Sequence, residues 1–410
     1  MNRAEARPTP QRKHSSRRLA LATVVSASLV VSACATPGRA PAPTVAESVS
    51  TQMLGIPNAR FYFQDYAALT QEFVEASRRE IDARRSAGLN GPLPPAAFLA
   101  LSGGGDSGAY GAGLLAGWTA RGDRPSFQGV TGVSTGALSA PFAFLGSAYD
   151  DELKAVYTTS SAKRIFKTRG FLAAITDDAM SDTAPLRAMV TRYVDDKMIE
   201  LIAAEYRKGR LLLVMTTNLD AGEPCVWNIG AIAASGKPGA RDLIIKILLA
   251  SAAIPAVFPP QLFDVEVNGQ HRQEMHADGG VFAQAFLYPP GIDFAEATKL
   301  SGADRQRDAY LIRNGRLLED PTQVPRKTLS IAQRSVSMMI ASSGINDMYR
   351  VYLTTGRDKV GYHLTFIPDA FTEPYKGPFD PPYMTKLYNY GLERGRAGDE
   401  WQSKPPEMSR

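Results

Sequence analysis

Residues 127–136 read FQGVTGVSTG. The segment predicts a strand over Phe127–Gly132 and a helix from Thr135, with Gly132-Val133-Ser134-Thr135-Gly136 at the junction. G-x-S-x-G on a strand-to-helix turn is the pattern of a nucleophile elbow. A serine on so sharp a turn needs neighbours two residues away that lack bulk, and Gly132 and Gly136 meet that need. Ser134 is therefore the candidate nucleophile. The segment also decides the fold class, because a buried strand feeding straight into a helix is a step of an α/β sheet.

Upstream, Ala96–Leu101 is a short continuous apolar run and predicts a second buried strand. It leads into Ser102-Gly103-Gly104-Gly105-Asp106-Ser107-Gly108, and Gly108–Ala120 is small, apolar and compatible with a helix. Consecutive glycines allow positive φ and close approach to a ligand. The first N–H groups of the following helix are unpaired and point outward. Gly103, Gly104 and Gly105 are thus candidates to bind an anion, either a phosphate or a developing oxyanion. Gly103, Gly105 and Gly108 also satisfy the dinucleotide spacing G-x-G-x-x-G. That use needs a second strand ending in an acid about 20 residues on. The acid available is Asp123, inside the loop ARGDRPS with no strand before it, so the nucleotide reading fails. This glycine segment has no Lys-Ser or Lys-Thr pair, so it is no P-loop.

Downstream lies His276-Ala277-Asp278-Gly279-Gly280-Val281. Alone, an Asp before two glycines is a turn. Beside the other two motifs, Asp278 becomes the candidate partner of Ser134. Between and beyond these segments, helices are expected over Tyr66–Arg85, Thr183–Glu205 and Asp242–Ala253. Strands are expected over Leu211–Thr217, Ala309–Arg313 and His363–Ile367. Helices alternating with short buried strands predict an α/β domain with a parallel or mixed sheet.

The glycine triplet, the G-x-S-x-G elbow and the Asp-Gly-Gly turn, in that order, resemble the patatin-like phospholipases. Ala250–Pro260, ASAAIPAVFPP, is similar to the serine-rich, proline-terminated stretch that precedes the catalytic Asp in that family. The resemblance covers roughly residues 97–290. It implies a three-layer sandwich, with a central mostly parallel sheet and helices on both faces. It implies Ser134 as nucleophile, Asp278 as its partner, and an oxyanion hole from amides near Gly103, Gly104 and Gly105. Gly279 and Gly280 complete the Asp-Gly-Gly motif. Proteins of this kind are esterases that release fatty acid from phospholipids or other acyl lipids without metal or cofactor. Two positions depart from the pattern: Ser107 stands where Arg or Lys is frequent, and Thr135 where Ala is frequent.

A serine hydroxyl needs a base. Of the four histidines, His276 lies two residues from Asp278, and His363 follows both Ser134 and Asp278 as in a Ser…Asp…His order. A Ser–Asp dyad needs fewer assumptions, at the expense of a carboxylate whose ordinary pKa of about 3.9 makes it a weak base. A Ser–Asp–His triad, an acyltransferase with the same residues, and a non-catalytic lipid- or partner-binding lipoprotein stay open. A packed helix face is expected at Met338 and Met339, or an acyl groove. A surface segment or membrane-facing lid is expected around Phe166, Phe171, Leu172 and Ile175, and a proline-stiffened packing segment or substrate lip over 370–395.

The 410 residues carry 46 Lys plus Arg and 41 Asp plus Glu, a net +5. Six of the basic residues and one acid lie in residues 1–33, which leaves 40 of each sign in the rest. Nothing in the remaining charge balance points to nucleic acid. The basic stretch to Arg18, the uncharged run Leu19–Ala33 and Cys34 describe a secretory signal. Val31-Ser32-Ala33-Cys34 resembles a bacterial lipobox, which implies acylation of Cys34 and attachment to a membrane of the cell envelope. Ala35, rather than Asp, leans towards the outer membrane. The expected divisions are a signal over 1–33, a lipid-anchored linker over 34–55 and a helical extension over 56–96. A catalytic domain over 97–290 and a packed C-terminal extension over 291–410 follow.

Overall fold

The computed structural model describes residues 38–159, 167–168, 181–255, 257–292, 294–317 and 322–406. Cys34, the signal and the Phe166–Ile175 side chains lie outside them. Among the described residues, nine strands form one sheet: β1 (Arg60–Tyr62), β2 (Ala96–Leu101), β3 (Phe127–Val133), β6 (Leu211–Asn218), β7 (Glu223–Asn228), β8 (Gln261–Val267), β9 (Gln270–Asp278), β10 (Arg307–Arg313) and β11 (Gly361–Phe366). A separate two-stranded ladder joins β4 (Lys167–Thr168) to β5 (Ser181–Asp182). The main order is β1-β7-β6-β3-β2-β10-β11. Strands β6, β3, β2, β10 and β11 run parallel, while β1 and β7 are antiparallel at one edge. The mixed, mostly parallel sheet with helices on both faces is the fold class expected above.

Parallel strands covered on both faces read as continuous apolar runs. Here the residues alternate between two cores. Leu99, Leu101, Val130, Leu212, Val214 and Ile312 enter one. Ala100, Val133, Leu213, Met215 and Leu311 enter the other. On the first face the helices Gly108–Arg121 and Pro381–Ala397 touch backbone to backbone. A Cβ on Gly113 or Gly117 would overlap the carbonyl of Tyr388 or Leu392, and one on Gly391 or Gly395 that of Tyr110 or Leu114.

Several expectations change. The helix expected over Thr183–Glu205 is two helices, Ala184–Tyr193 and Asp196–Arg207. The break is chemical: Asp195 caps the second helix by accepting the Met198 N–H at 2.8 Å. Residue 290 is not a boundary of the sheet, because β10 is hydrogen-bonded between β2 and β11. The proline-rich 370–395 segment is helical from Pro381, with Asp380 as cap and prolines in the first turn. Met338 and Met339, on the helix Thr328–Arg357, are 55% and 63% exposed and pack against no core. The linker is not free from residue 39 on. Arg39 pairs with Asp220 at 2.7 Å, and the Gln273 side chain accepts the Ala40 N–H at 2.9 Å.

Candidate active site

β3 ends at Val133, and Ser134 turns the chain into the helix Thr135–Leu145. Its φ is +54° with ψ −123°, a conformation that non-glycine residues rarely hold. The flanking glycines are obligatory. A Cβ on Gly132 would press on the Gly136 carbonyl, and one on Gly136 would overlap the carbonyls of Leu101 and Ser102.

Asp278 arrives by a strand exchange. Along one edge of β6, Val133 of β3 faces Met215, and Asp278 of β9 faces the next residue, Thr216. β9 therefore takes over from β3 where β3 leaves the sheet, and Ser134 and Asp278 meet at the seam. Ser251 closes it: its hydroxyl accepts the Ser134 N–H at 3.0 Å and donates to the Met215 carbonyl at 2.7 Å. The Ala253 carbonyl accepts the Asp278 N–H at 2.9 Å. The 250–260 stretch thus acts as the frame of the seam, and Ser251 was missed as a site residue.

The Asp278 carboxyl is buried at 4% exposure. One oxygen accepts the Gly280 N–H at 2.7 Å. The other is buried without a formed hydrogen bond. Burial pushes its pKa up to about 7, against the smaller opposing pull of the Ser134 hydroxyl and the Gly280 amide. An acid with that pKa is a usable general base near neutral pH.

The glycine loop lies against the serine: a Cβ on Gly103 would stand 3.2 Å from that of Ser134. Gly104 and Gly105 have φ of +154° and +57°. A side chain at Gly104 would overlap the Asn314 carbonyl. Asn314 also donates from its side chain to the Ser102 carbonyl at 2.9 Å and accepts the Gly111 N–H at 3.2 Å, pinning the loop. The expected oxyanion trio needs one correction. The Gly103 N–H already donates to the Gln284 carbonyl at 2.9 Å. The Ser102 hydroxyl holds the Gly103 carbonyl at 2.7 Å, so in a trans peptide the Gly104 N–H points the opposite way. The Gly103 amide is thereby engaged within the protein.

Thr135 is accommodated by Tyr157, whose hydroxyl lies 2.6 Å from the Thr135 oxygen and 2.8 Å from that of Ser139. His276 and His363 are placed elsewhere. His276 is fully buried between Thr216 at 2.8 Å and Glu274 at 3.3 Å, against Trp227 and Phe263. Glu274 in turn pairs with Arg60. His363 pairs with Asp308 at 3.0 Å and stacks on Tyr310. Neither ring meets Ser134 or Asp278, so among the described residues these two histidines form no triad with them.

Two cavities flank the glycine loop. An apolar pocket of about 40 Å³ is lined by Gly105, Ser134, Leu138, Leu186, Met189, Ile254, Phe258, Phe379 and Met384 among others. A polar cavity of about 380 Å³ on the other side is lined by Gly103, Gly104, Asp106, Ser107, Gln284, Arg313, Asn314 and Arg316 among others. A serine beside a buried base, with amides and an apolar pocket at hand, can attack an ester and hold its acyl group.

Comparison with known proteins gives a family match over the segment that carries these motifs. Residues 99–288 match the family model described as patatin-like phospholipase. No curated protein sequence matches the chain. Among solved structures it is similar to VipD from Legionella pneumophila, at 12% identity and a TM-score of 0.37, over 75% of this chain and 67% of that one. It is also similar to the type III effector protein ExoU, at 12% identity and a TM-score of 0.22, over 75% of this chain and 54% of that one.

Proposed function

We propose that the chain is a serine acyl hydrolase that cleaves fatty-acyl esters of phospholipids, lysophospholipids or related lipids through a Ser134–Asp278 dyad. The observation that carries this reading is the β3–β9 seam. It sets a strained serine against a buried carboxyl whose pKa is about 7, beside the Gly104 and Gly105 amides, which have no partner among the described residues. In the first step Asp278 takes the hydroxyl proton as Ser134 Oγ bonds to the ester carbonyl carbon. The Gly104 and Gly105 amides receive the oxyanion. Collapse breaks the ester C–O bond, and Asp278 returns the proton to the departing alcohol. In the second step water attacks the acyl-serine, gives its proton to Asp278, and releases fatty acid as Ser134 regains its hydrogen.

The polar cavity supports a charged lipid as substrate. Ser107 withholds the cation that the family often carries beside the loop, but Arg313 and Arg316 line the same cavity as Ser107. Charge is thereby brought to the site from the end of β10.

The test is the pH dependence of labelling by a fluorophosphonate probe. The base must be ionised to act, so the labelling rate should rise along an apparent pKa near 7 and level above it. At pH 5 it should stand about 100-fold below the plateau. Peptide mapping should place the label on Ser134. No label, or label on another residue, refutes the nucleophile.

Membrane attachment through acylated Cys34 is part of the proposal. Cys34 lies five residues before Arg39, which is pinned to Asp220. Five residues reach at most about 18 Å, so an anchor there keeps the domain close to the lipid surface. Cys34→Ser is expected to move the protein from the membrane fraction to the soluble one. Unchanged fractionation removes the anchor from the proposal.

A further inference from the structure

We propose that Phe379, held in place by Asp106, determines the length of acyl chain that the site accepts. The inference rests on the acyl-hydrolase reading above and concerns the lining of its apolar pocket. Phe379 has φ +56°, in the left-handed region. For a bulky residue that is a strained backbone, kept only where the surroundings over-determine it. The surroundings here are specific. The Phe379 N–H donates to a carboxyl oxygen of Asp106 at 2.8 Å. Asp106 is 8% exposed and sits in the short turn Gly105–Ser107, directly after the two glycines proposed to receive the oxyanion. The side chain of Tyr375 hydrogen-bonds the same carboxyl. On its other side, Phe379 adjoins Asp380, which caps the helix Pro381–Ala397. That helix is locked against Gly108–Arg121 through the four facing glycines. Phe379 is thus clamped between the glycine loop and a helix that cannot slide.

The clamp gives the ring a defined place. Phe379 lines the pocket that contains Ser134, and packs with Phe258, Ile254 and Met189. The pocket's free volume, about 40 Å³, is small beside the 380 Å³ across the loop. A few methylene groups fill it. A longer chain needs the space the ring occupies, so the ring sets the cut-off. Asp106, which touches no reacting atom in this scheme, is a positioning residue: it couples the oxyanion loop to the pocket lining.

The test compares kcat/KM for decanoyl and butanoyl aryl esters in the full chain. Each methylene newly buried raises kcat/KM by about fourfold. Phe379→Ala is therefore expected to raise the decanoyl-to-butanoyl ratio by at least about tenfold, and Phe379→Leu by less. Asp106→Ala should raise the ratio without shortening the ring, and Asp106→Asn, which keeps an acceptor oxygen, should restore most of the wild-type ratio. Folding of each variant is checked by circular dichroism, and Phe379→Leu carries the test if Phe379→Ala does not fold. An unchanged ratio in folded Phe379→Leu and Asp106→Ala overturns the assignment while leaving the hydrolase reading intact. Absence of hydrolysis of either ester by the wild-type chain overturns both.

Discussion

Ser134→Ala is expected to lower kcat for a phospholipid or aryl ester by about 10⁶-fold, the scale on which loss of a serine nucleophile acts when base and oxyanion donors remain. KM should change little, because the apolar pocket keeps its lining and loses one oxygen. The elbow adds a second, independent reading. Ser134 is held at φ +54°, where glycine is unstrained and alanine is not. Ser134→Gly is therefore expected to be as inactive as Ser134→Ala yet more stable, by about 1 kcal/mol. Loss of activity with a gain of stability is the signature of a residue kept for chemistry at the expense of the fold. Retention of activity within tenfold of wild type in Ser134→Ala would falsify the nucleophile assignment, and a less stable Ser134→Gly would remove the strain.

The three motifs were legible because each is local. Positive φ, close approach and strand-to-helix turns leave glycines in fixed places, as at Gly104, Gly132 and Gly136. What joins the motifs was not legible. Asp278 reaches Ser134 because β9 replaces β3 along β6, and that depends on strand pairing between residues far apart in the chain. The hairpin β8–β9 that makes this possible is absent from the expectations, although Asn268-Gly269 is a strong hairpin signal and both residues take positive φ. The Gly103 amide was misassigned for the same reason: its partner is the carbonyl of Gln284, far along the chain. The helix Pro381–Ala397 hid behind its prolines, which mark a first turn as readily as a loop. Ser251 lay inside the recognised 250–260 stretch, but its bonds to Ser134 and Met215 come only with the seam, and Asp106 and Phe379 gain their places only from the folded loop.

Asp278→Asn is expected to lower kcat/KM by about 10⁴-fold. The amide is nearly the same size and can still accept the Gly280 N–H, so the geometry is kept and only the proton acceptor is lost. His363→Ala should retain most activity, because that ring is occupied with Asp308 and Tyr310. The reverse pattern, an active Asp278→Asn and an inactive His363→Ala, would restore the triad. Stability supplies a control that a purely structural aspartate would fail. The folded-state pKa of about 7 lies above the ordinary value of 3.8. Below pH 3.8 the carboxyl is protonated in both states and the buried site bears no charge. Between that pH and 7 the unfolded chain loses its proton while the folded one keeps it, and stability falls. Above 7 the folded protein carries a buried carboxylate, a penalty of about 4 kcal/mol at one pKa unit per 1.4 kcal/mol. Asn removes the titration. The Tm of Asp278→Asn should therefore overtake that of wild type as pH rises from 4 to 7, and the gap should hold constant above. A salt-bridged structural carboxylate would give the opposite sign, with the variant losing most at high pH. A gain in stability over the same pH interval in which wild-type activity appears would mark Asp278 as a base maintained at the cost of the fold.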